Sequence, residues 1–399
     1  MKKQESRSTL WTPTFISLLA LGTITSTSFY MMSPILSKYS VLLGATLSLA
    51  GVIAGLFSIT ALVVRPFGAV LVDRINKKAV LTGAVAVMGL AALGYSVSEN
   101  LVLLVLFRIL HGSAFAVSGT ASSALIASIV PRERLGEGIG YYGMGNIIAT
   151  AIGPNIGILV SNTLGYRIDF ILSGAFLLVA ALLMSRIPYA GTGAAFSPES
   201  FRGVRLRDLI APEVLPLAML GGAFSFTNGI VSTFLVQVGE TRGIGSIGLY
   251  FTVMAVCLFF VRPLTGKLSD RKGLAFILYP ALALVAVEGI LLSRASVLWV
   301  VLLAAVAKAF GQGAAQPSIQ AACMKKLDPS RGGVAAATFF IGADIGQGFG
   351  PMIGGAISEH FGYDAMFLVC AGLMAVGALA FANRARFGFG KPVGGTEAA

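Results

Sequence analysis

The chain has 399 residues, of which 56% are hydrophobic and only 12% charged, against roughly 25% charged in a soluble protein. Its apolar residues come in runs of about 20, enough to cross a hydrocarbon core at about 1.5 Å per helical residue. That excludes a soluble domain, and the lack of strict alternation excludes an outer-membrane barrel. The net charge of +12 sits in alternate short loops, so it reports membrane topology and not nucleic-acid binding.

Twelve spans are predicted, at 13–37, 44–70, 79–97, 101–130, 135–160, 166–187, 213–239, 245–269, 274–293, 297–325, 332–358 and 363–383. The start, Met1 to Pro34, pairs a basic end with an apolar run, as a signal peptide does. No small-x-small cleavage site stands out, so it reads as a retained first helix. Residues 188–212 are the one long polar connection, with Arg202, Arg205, Arg207 and Asp208. They divide the chain into a six-span bundle (1–187), a linker (188–212), a second six-span bundle (213–383) and a Gly-rich tail (384–399) expected to be disordered. The N-terminus, even-numbered loops, linker and tail, with the span ends beside them, hold 23 of the Lys and Arg residues, and the odd-numbered loops with their adjoining span ends hold four (Lys38, Arg167, Arg242 and Arg294). The positive-inside rule then puts both termini in the cytoplasm of a multi-pass cell (inner) membrane protein.

Taken in chain order, span 1 supplies the polar residues Thr23, Thr25, Ser26, Ser28 and Tyr30. The end of span 2 reads Arg65-Pro66-Phe67-Gly68-Ala69-Val70-Leu71-Val72-Asp73-Arg74, with Lys77-Lys78 after it. Span 4 holds Arg108-x-x-His111-Gly112, and span 5 holds Gly153-Pro154-x-x-Gly157. The end of span 8, Arg262-Pro263-Leu264-Thr265-Gly266-Lys267-Leu268-Ser269-Asp270-Arg271, repeats the end of span 2 at an offset of 197 residues. Span 11 carries Gly346-x-x-x-Gly350-Pro351-x-x-Gly354-Gly355, which repeats span 5 at the same offset. A unit used twice in a membrane protein implies two pseudo-symmetric halves with a site between them. Proline bends a helix by removing a backbone donor, and glycines on one face admit a close neighbour.

Twelve spans in two halves with these loop motifs resemble the major facilitator superfamily over nearly the whole chain. The fold the resemblance implies is an all-α membrane protein, twelve transmembrane helices in two pseudo-symmetric six-helix bundles. In that family the loop Asp caps a neighbouring helix end as part of the cytoplasmic gate, which makes Arg65, Asp73, Arg74, Asp270 and Arg271 gate candidates. A carboxylate there meets unpaired N–H groups and a partial positive charge. Ala69 and Asn76 stand where the family often has Gly. The span 5 motif is similar to the antiporter motif of drug and metabolite exporters, with Ala149 and Ile158 at usual Gly positions. The span 4 Arg is linked in the family to proton transfer, and His111 here replaces its usual Gln. Span 1 has no acidic residue, unlike many multidrug exporters, which disfavours a broad cationic-drug substrate.

Arg108, Glu288, Lys308 and Asp344 are placed at membrane depth and read as proton-coupling candidates. Asp344 is roughly 18 Å from the start of span 11, near the midplane, as is Lys308. The repeat sets Ile147 opposite Asp344 and His111 opposite Lys308, so the carboxylate exists in one half only. A buried Asp beside a Lys is able to exchange a proton near neutral pH, and an Asp344–Lys308 pair is expected. Glu288 is expected nearer the outer surface, facing water or Arg294. The cavity is expected to be lined by Tyr30, His111, Asn146, Asn228, Gln312 and Gln316, the last two sharing one helix face with Gln320. Phe29, Tyr30, Phe224 and Phe226 offer an aromatic lining, against the usual use of Phe in a span as lipid-facing or packing material. Cys257, Cys323 and Cys370 read as small buried apolar residues. No metal-ligand cluster, nucleotide loop or catalytic triad is found, and no metal or cofactor is expected.

The reading favoured by sequence is not an enzyme. It is a monomeric proton-coupled exporter of a small organic molecule (a drug, a metabolite or a metal-chelating compound), with substrate, protons and the lipid bilayer as its partners. Proton-driven uptake is the alternative, and a non-transporting membrane sensor a more distant one.

Overall fold

The computed structural model describes residues 10–45, 47–189, 191 and 203–383. Residues 1–9, residues 190 and 192–202 of the 188–212 linker, and the 384–399 tail therefore lie outside the described residues.

The first six long helices are α1 (Pro13–Leu42), α2 (Leu47–Arg74), α3 (Lys77–Ser96), α4 (Leu101–Ile129), α5 (Leu135–Thr163) and α6 (Tyr166–Arg186). After a single turn at Leu206–Leu209 come α7 (Leu215–Arg242), α8 (Leu249–Lys272), α9 (Leu274–Arg294) and α10 (Leu298–Lys326). The last helical stretch, Gly332–Ala382, breaks at Gly362 (φ 80°), which separates α11 (332–361) from α12 (363–382). Among the described residues, ten segments are long and apolar enough to cross a membrane. The 28-residue α2 and the break inside the last segment bring the long helices to twelve among the described residues. The fold is all-α, two pseudo-symmetric six-helix bundles.

Local chemistry sets the turns. Thr12, Asn76 and Asn100 cap α1, α3 and α4, each accepting backbone N–H groups that a helix start leaves open. Gly165 and Gly362, 197 residues apart, both adopt positive φ (93° and 80°) at equivalent corners, a conformation that suits glycine. The equivalent of Gly273 (φ 83°) is Asn76, whose φ is −56°. There the side chain supplies the cap, which explains how the first copy dispenses with the usual glycine. α1 and α2 each run several residues past the predicted spans. The end of α1 is tied down by the Tyr39 hydroxyl, which donates to the Ser98 carbonyl at 2.8 Å.

Small residues let helices touch within each bundle. A Cβ at Gly157 would lie 2.1 Å from the Met31 carbonyl oxygen, so α5 packs backbone to backbone on α1. Gly346 meets the Gly222 carbonyl in the same way, at 2.0 Å, and seats α11 on α7. Gly153 and Gly350 extend these contacts against Tyr30 and Phe226. Pro154 and Pro351 lie inside α5 and α11, which continue through them. Gly354 packs on Ile230. The two repeated motifs are thus helix-packing surfaces of equivalent helix pairs.

Candidate functional site

The hydrogen bonds and ion pairs that join the two bundles gather at one end of the molecule, the end of the repeated loop motifs. Asp73, at the end of α2, accepts the N–H groups of Gly333 and Val334 at the start of α11. Asp270, at the end of α8, accepts those of Gly136 and Glu137 at the start of α5, at 3.0 and 2.9 Å. Each loop carboxylate therefore caps a helix of the opposite bundle, where unpaired N–H groups and the helix dipole favour a negative charge. Lys325 also reaches Asp270 at 2.6 Å. Arg132 donates to the Leu327 carbonyl at 2.8 Å, and Gln320 to the Ser123 hydroxyl at 2.9 Å, both across the bundles. Gly136 and Gly266 touch at this seam, since a Cβ on Gly266 would sit 2.3 Å from the Gly136 carbonyl oxygen. Arg74 instead pairs with Asp208 at 3.0 Å, outside the spans. The Arg205 backbone N–H and the Arg74 guanidinium hold the Asp208 carboxyl below its usual range. Arg271 is exposed at the surface.

Behind this seam lies a cavity of about 440 Å³ lined by residues of both bundles, among them Thr25, Tyr30, Asn146, Arg262, Gln312 and Gln316. It is contiguous with a second space of about 620 Å³ through the shared residues Asn146, Arg262, Gln312 and Gln316. Asn228 and Lys308 line that second space. Tyr30, Asn146, Asn228, Gln312 and Gln316 are thus brought together around one interior volume. The glutamine face serves two purposes. Gln312 opens to the cavity with its Oε1 buried and without a partner, whereas Gln316 donates to the Gly221 carbonyl and the Ser225 hydroxyl.

Four sequence expectations are corrected. Asp344 does not pair with Lys308. It is held by Arg65, whose Nε and Nη2 both donate to it across the bundles, and the Arg65 guanidinium lies 4.6 Å over the Phe340 ring. Depth in the membrane matched Asp344 with Lys308, but helix rotation turns Lys308 toward its own bundle. There its ammonium is 3.3 Å from Glu288, which also accepts the Tyr250 hydroxyl at 2.6 Å. Glu288 is accordingly 1% exposed and does not face water or Arg294. His111 is not on the cavity wall. Its Nδ1 meets the Tyr95 hydroxyl at 3.1 Å, and the rings of Phe29 and Phe57 stand against it. Phe224 is likewise fully buried core, while Phe29 and Tyr30 do line the cavity.

Arg108, on α4, is buried inside the first bundle. Its Nε donates to the Ile53 carbonyl at 3.3 Å and its guanidinium lies over Phe57 at 4.6 Å, away from Asp344. Cys323 and Cys370 are buried, and Cys257 is partly exposed. Sequence reasoning placed Arg65 among the gate candidates and treated Arg262 only as a motif residue at the end of a span. Their equivalence under the 197-residue offset was the available signal that both point to the same central region.

The sequence profile described as Major Facilitator Superfamily matches this chain over residues 18–346 and 217–388. The multi-drug resistance efflux pump PmrA of Streptococcus pneumoniae serotype 4 (strain ATCC BAA-334 / TIGR4) is 27% identical over 330 residues, covering 80% of this chain and 81% of PmrA. The multidrug resistance protein MdtG of Enterobacter lignolyticus (strain SCF1) is 27% identical over 372 residues, covering 87% of this chain and 86% of MdtG. Among solved structures, the transporter FucP in its outward conformation superposes with a TM-score of 0.73 at 17% identity, covering 94% of this chain and 99% of FucP. At that identity the likeness is one of fold.

Proposed function

Because the chain belongs to the major facilitator superfamily, we propose that it is a proton-coupled transporter that exports a small organic molecule by alternating access. The observation that carries the reading is the Arg65–Asp344 ion pair, which ties the two bundles together beside the cavity. The similarity to efflux pumps supports the direction of transport.

The bundles, 1–187 and 213–383, rock about the cavity, with the 188–212 linker between them. The loop-motif end faces the cytoplasm with both termini, as its basic residues require. The structure is then closed to the cytoplasm, with the cavity addressed from outside. Asp344 is the proton carrier. Its side chain is 20% exposed against 4% for Arg65, so the carboxylate is the more accessible member of the pair and the one that can take up a proton. Protonation removes the negative charge, Arg65 loses its counter-ion, and one of the ties closing the cytoplasmic end is released. The end then opens, the proton leaves to the cytoplasm and substrate takes its place in the cavity. Re-forming the pair closes that end again around the loaded site. Asp73 and Asp270 act as the paired latch of the same gate. Glu288 is a second buried carboxylate, paired with Lys308 behind the cavity wall.

Comparing the metabolites in medium from cells with and without the protein identifies the exported compound. Everted membrane vesicles should then accumulate that compound when their interior is acidified, and Asp344→Asn should abolish the response to the gradient. Unchanged proton dependence in Asp344→Asn removes Asp344 as carrier. Lower cellular accumulation of the compound on deletion of the protein would mean import.

A further inference from the structure

The two repeated arginines are not in equivalent electrostatic states. Arg65 sits over Phe340 and pairs with Asp344, two residues one helical turn apart on α11. The 197-residue offset carries Phe340 to Gly143 and Asp344 to Ile147 on α5. Arg262 obeys the same geometry, because its Nη1 donates to the Gly143 carbonyl at 2.6 Å. One turn further along, where the other copy has its carboxylate, Arg262 finds Ile147 on the cavity wall. Its Nε is buried and without a partner. The other charges around the cavity cancel in pairs, Arg65 with Asp344 and Lys308 with Glu288. Among the described residues that line the two contiguous spaces there is no carboxylate. The cavity therefore carries one uncompensated positive charge, and a bare cation at membrane depth is costly unless something pairs with it.

We propose that this vacancy is the substrate's anion site: Arg262 receives the carboxylate or sulfonate of an organic anion. A planar guanidinium suits such a group, since it presents parallel N–H donors to two oxygens. The Asn146 and Gln312 amides flank the same place, and Gln312 Oε1, which has no protein donor, is free to accept an N–H or O–H elsewhere on the ligand. Phe29, Tyr30, Phe115 and Phe340 line the adjoining volume and take an aromatic or apolar body. The substrate class is thus an amphiphilic organic anion. In effect the ligand supplies the carboxylate that the first repeat lacks, and so completes on the α5–α8 side the bundle-to-bundle tie that Arg65 and Asp344 make on the α2–α11 side. This assignment rests on the export reading for its biological meaning, but not for its test.

The test is binding to the purified full-length protein in detergent, read by fluorescence polarisation. The probes are fluorescein and rhodamine 123, which share a ring skeleton and carry opposite charge. The wild-type protein should favour fluorescein. Arg262→Gln should weaken fluorescein by about tenfold or more, as loss of a charge-assisted contact does, with rhodamine 123 unaffected or improved. Arg262→Lys should retain most of the preference, which separates loss of charge from loss of fold. Ile147→Asp should abolish fluorescein binding with Arg262 still present, by supplying the missing internal carboxylate. Preference for rhodamine 123, binding of neither dye by the wild type, or fluorescein binding indifferent to Arg262→Gln and Ile147→Asp overturns the proposal. Failure of the export reading would show separately, as absent proton-driven accumulation in vesicles with the dye preference intact.

Discussion

Arg65 and Arg262 occupy one position of the repeat and meet opposite fates, which makes single residues the level at which the halves differ in function. The other buried ion pair, Glu288–Lys308, lies within one bundle and is shared with the Tyr250 hydroxyl. Removing one partner of such a pair strands the other and costs about 3–5 kcal/mol, whereas replacing both with neutral side chains is close to neutral. Glu288→Gln should therefore lower the thermal unfolding midpoint in detergent sharply, and Glu288→Gln with Lys308→Met should recover most of it. With Asp344 as carrier, the double variant keeps its response to a proton gradient; loss of that response would transfer the coupling role to Glu288. The residues of this chemistry were legible in the sequence as charges at membrane depth, and their partners were not. Depth follows from counting residues along a helix, but partner choice depends on helix rotation. In spans whose lipid-facing and core-facing residues are equally apolar, sequence periodicity leaves rotation open. His111 was misplaced for that reason, since nothing in its own segment announces the Phe29 and Phe57 rings that cover it.

Among the helices, the repeated loop motif forms crossed caps, the latch of the proposed gate. The end of α2 caps the start of α11, and the end of α8 caps the start of α5. Losing a helix-capping side chain costs about 1 kcal/mol, or roughly a fivefold change in an equilibrium. Asp73→Ala and Asp270→Ala should each shift the population toward the form open at this end by about that factor, and together by their product if the caps act independently. Cysteine accessibility in the Gly136–Gly266 seam reports it, and an unchanged accessibility in the double variant would show that the caps do not close the gate. The latch was legible because its ten-residue pattern occurs twice and a carboxylate at a helix end has few other uses. The packing role of Gly153, Gly157, Gly350 and Gly354 was equally legible, since close helix contact requires small residues at that spacing. The bounds of α1 and α2 were less so, because both helices continue beyond the apolar stretch that marks them.

In the whole molecule, twelve helices and a doubled motif were evident from composition and repetition alone. What sequence could not show was which ends of the bundles meet: among the described residues the helix-capping ties lie at the loop-motif end, and Arg65–Asp344 and Arg262–Gly143 tie the bundles beside the cavity behind them. On the proposed mechanism, that asymmetry gives alternating access a direction. Acid should favour release of the Arg65–Asp344 tie, because a protonated Asp344 no longer pairs with the guanidinium. The coupling is thus expected to appear as a pH-dependent change of shape even without substrate.

The decisive measurement is the distance between spin labels in liposomes, at pH 8 and pH 5, for two pairs of sites. Labels at Glu133→Cys and Ser330→Cys span the bundles at the loop-motif end, and labels at Leu164→Cys and Leu249→Cys span them at the other end. On acidification the first distance should lengthen and the second shorten, and Asp344→Asn should hold the first pair long at both pH values. Distances that ignore pH in the wild-type protein, or that lengthen at both ends together, would contradict a pair of bundles rocking about a protonatable joint.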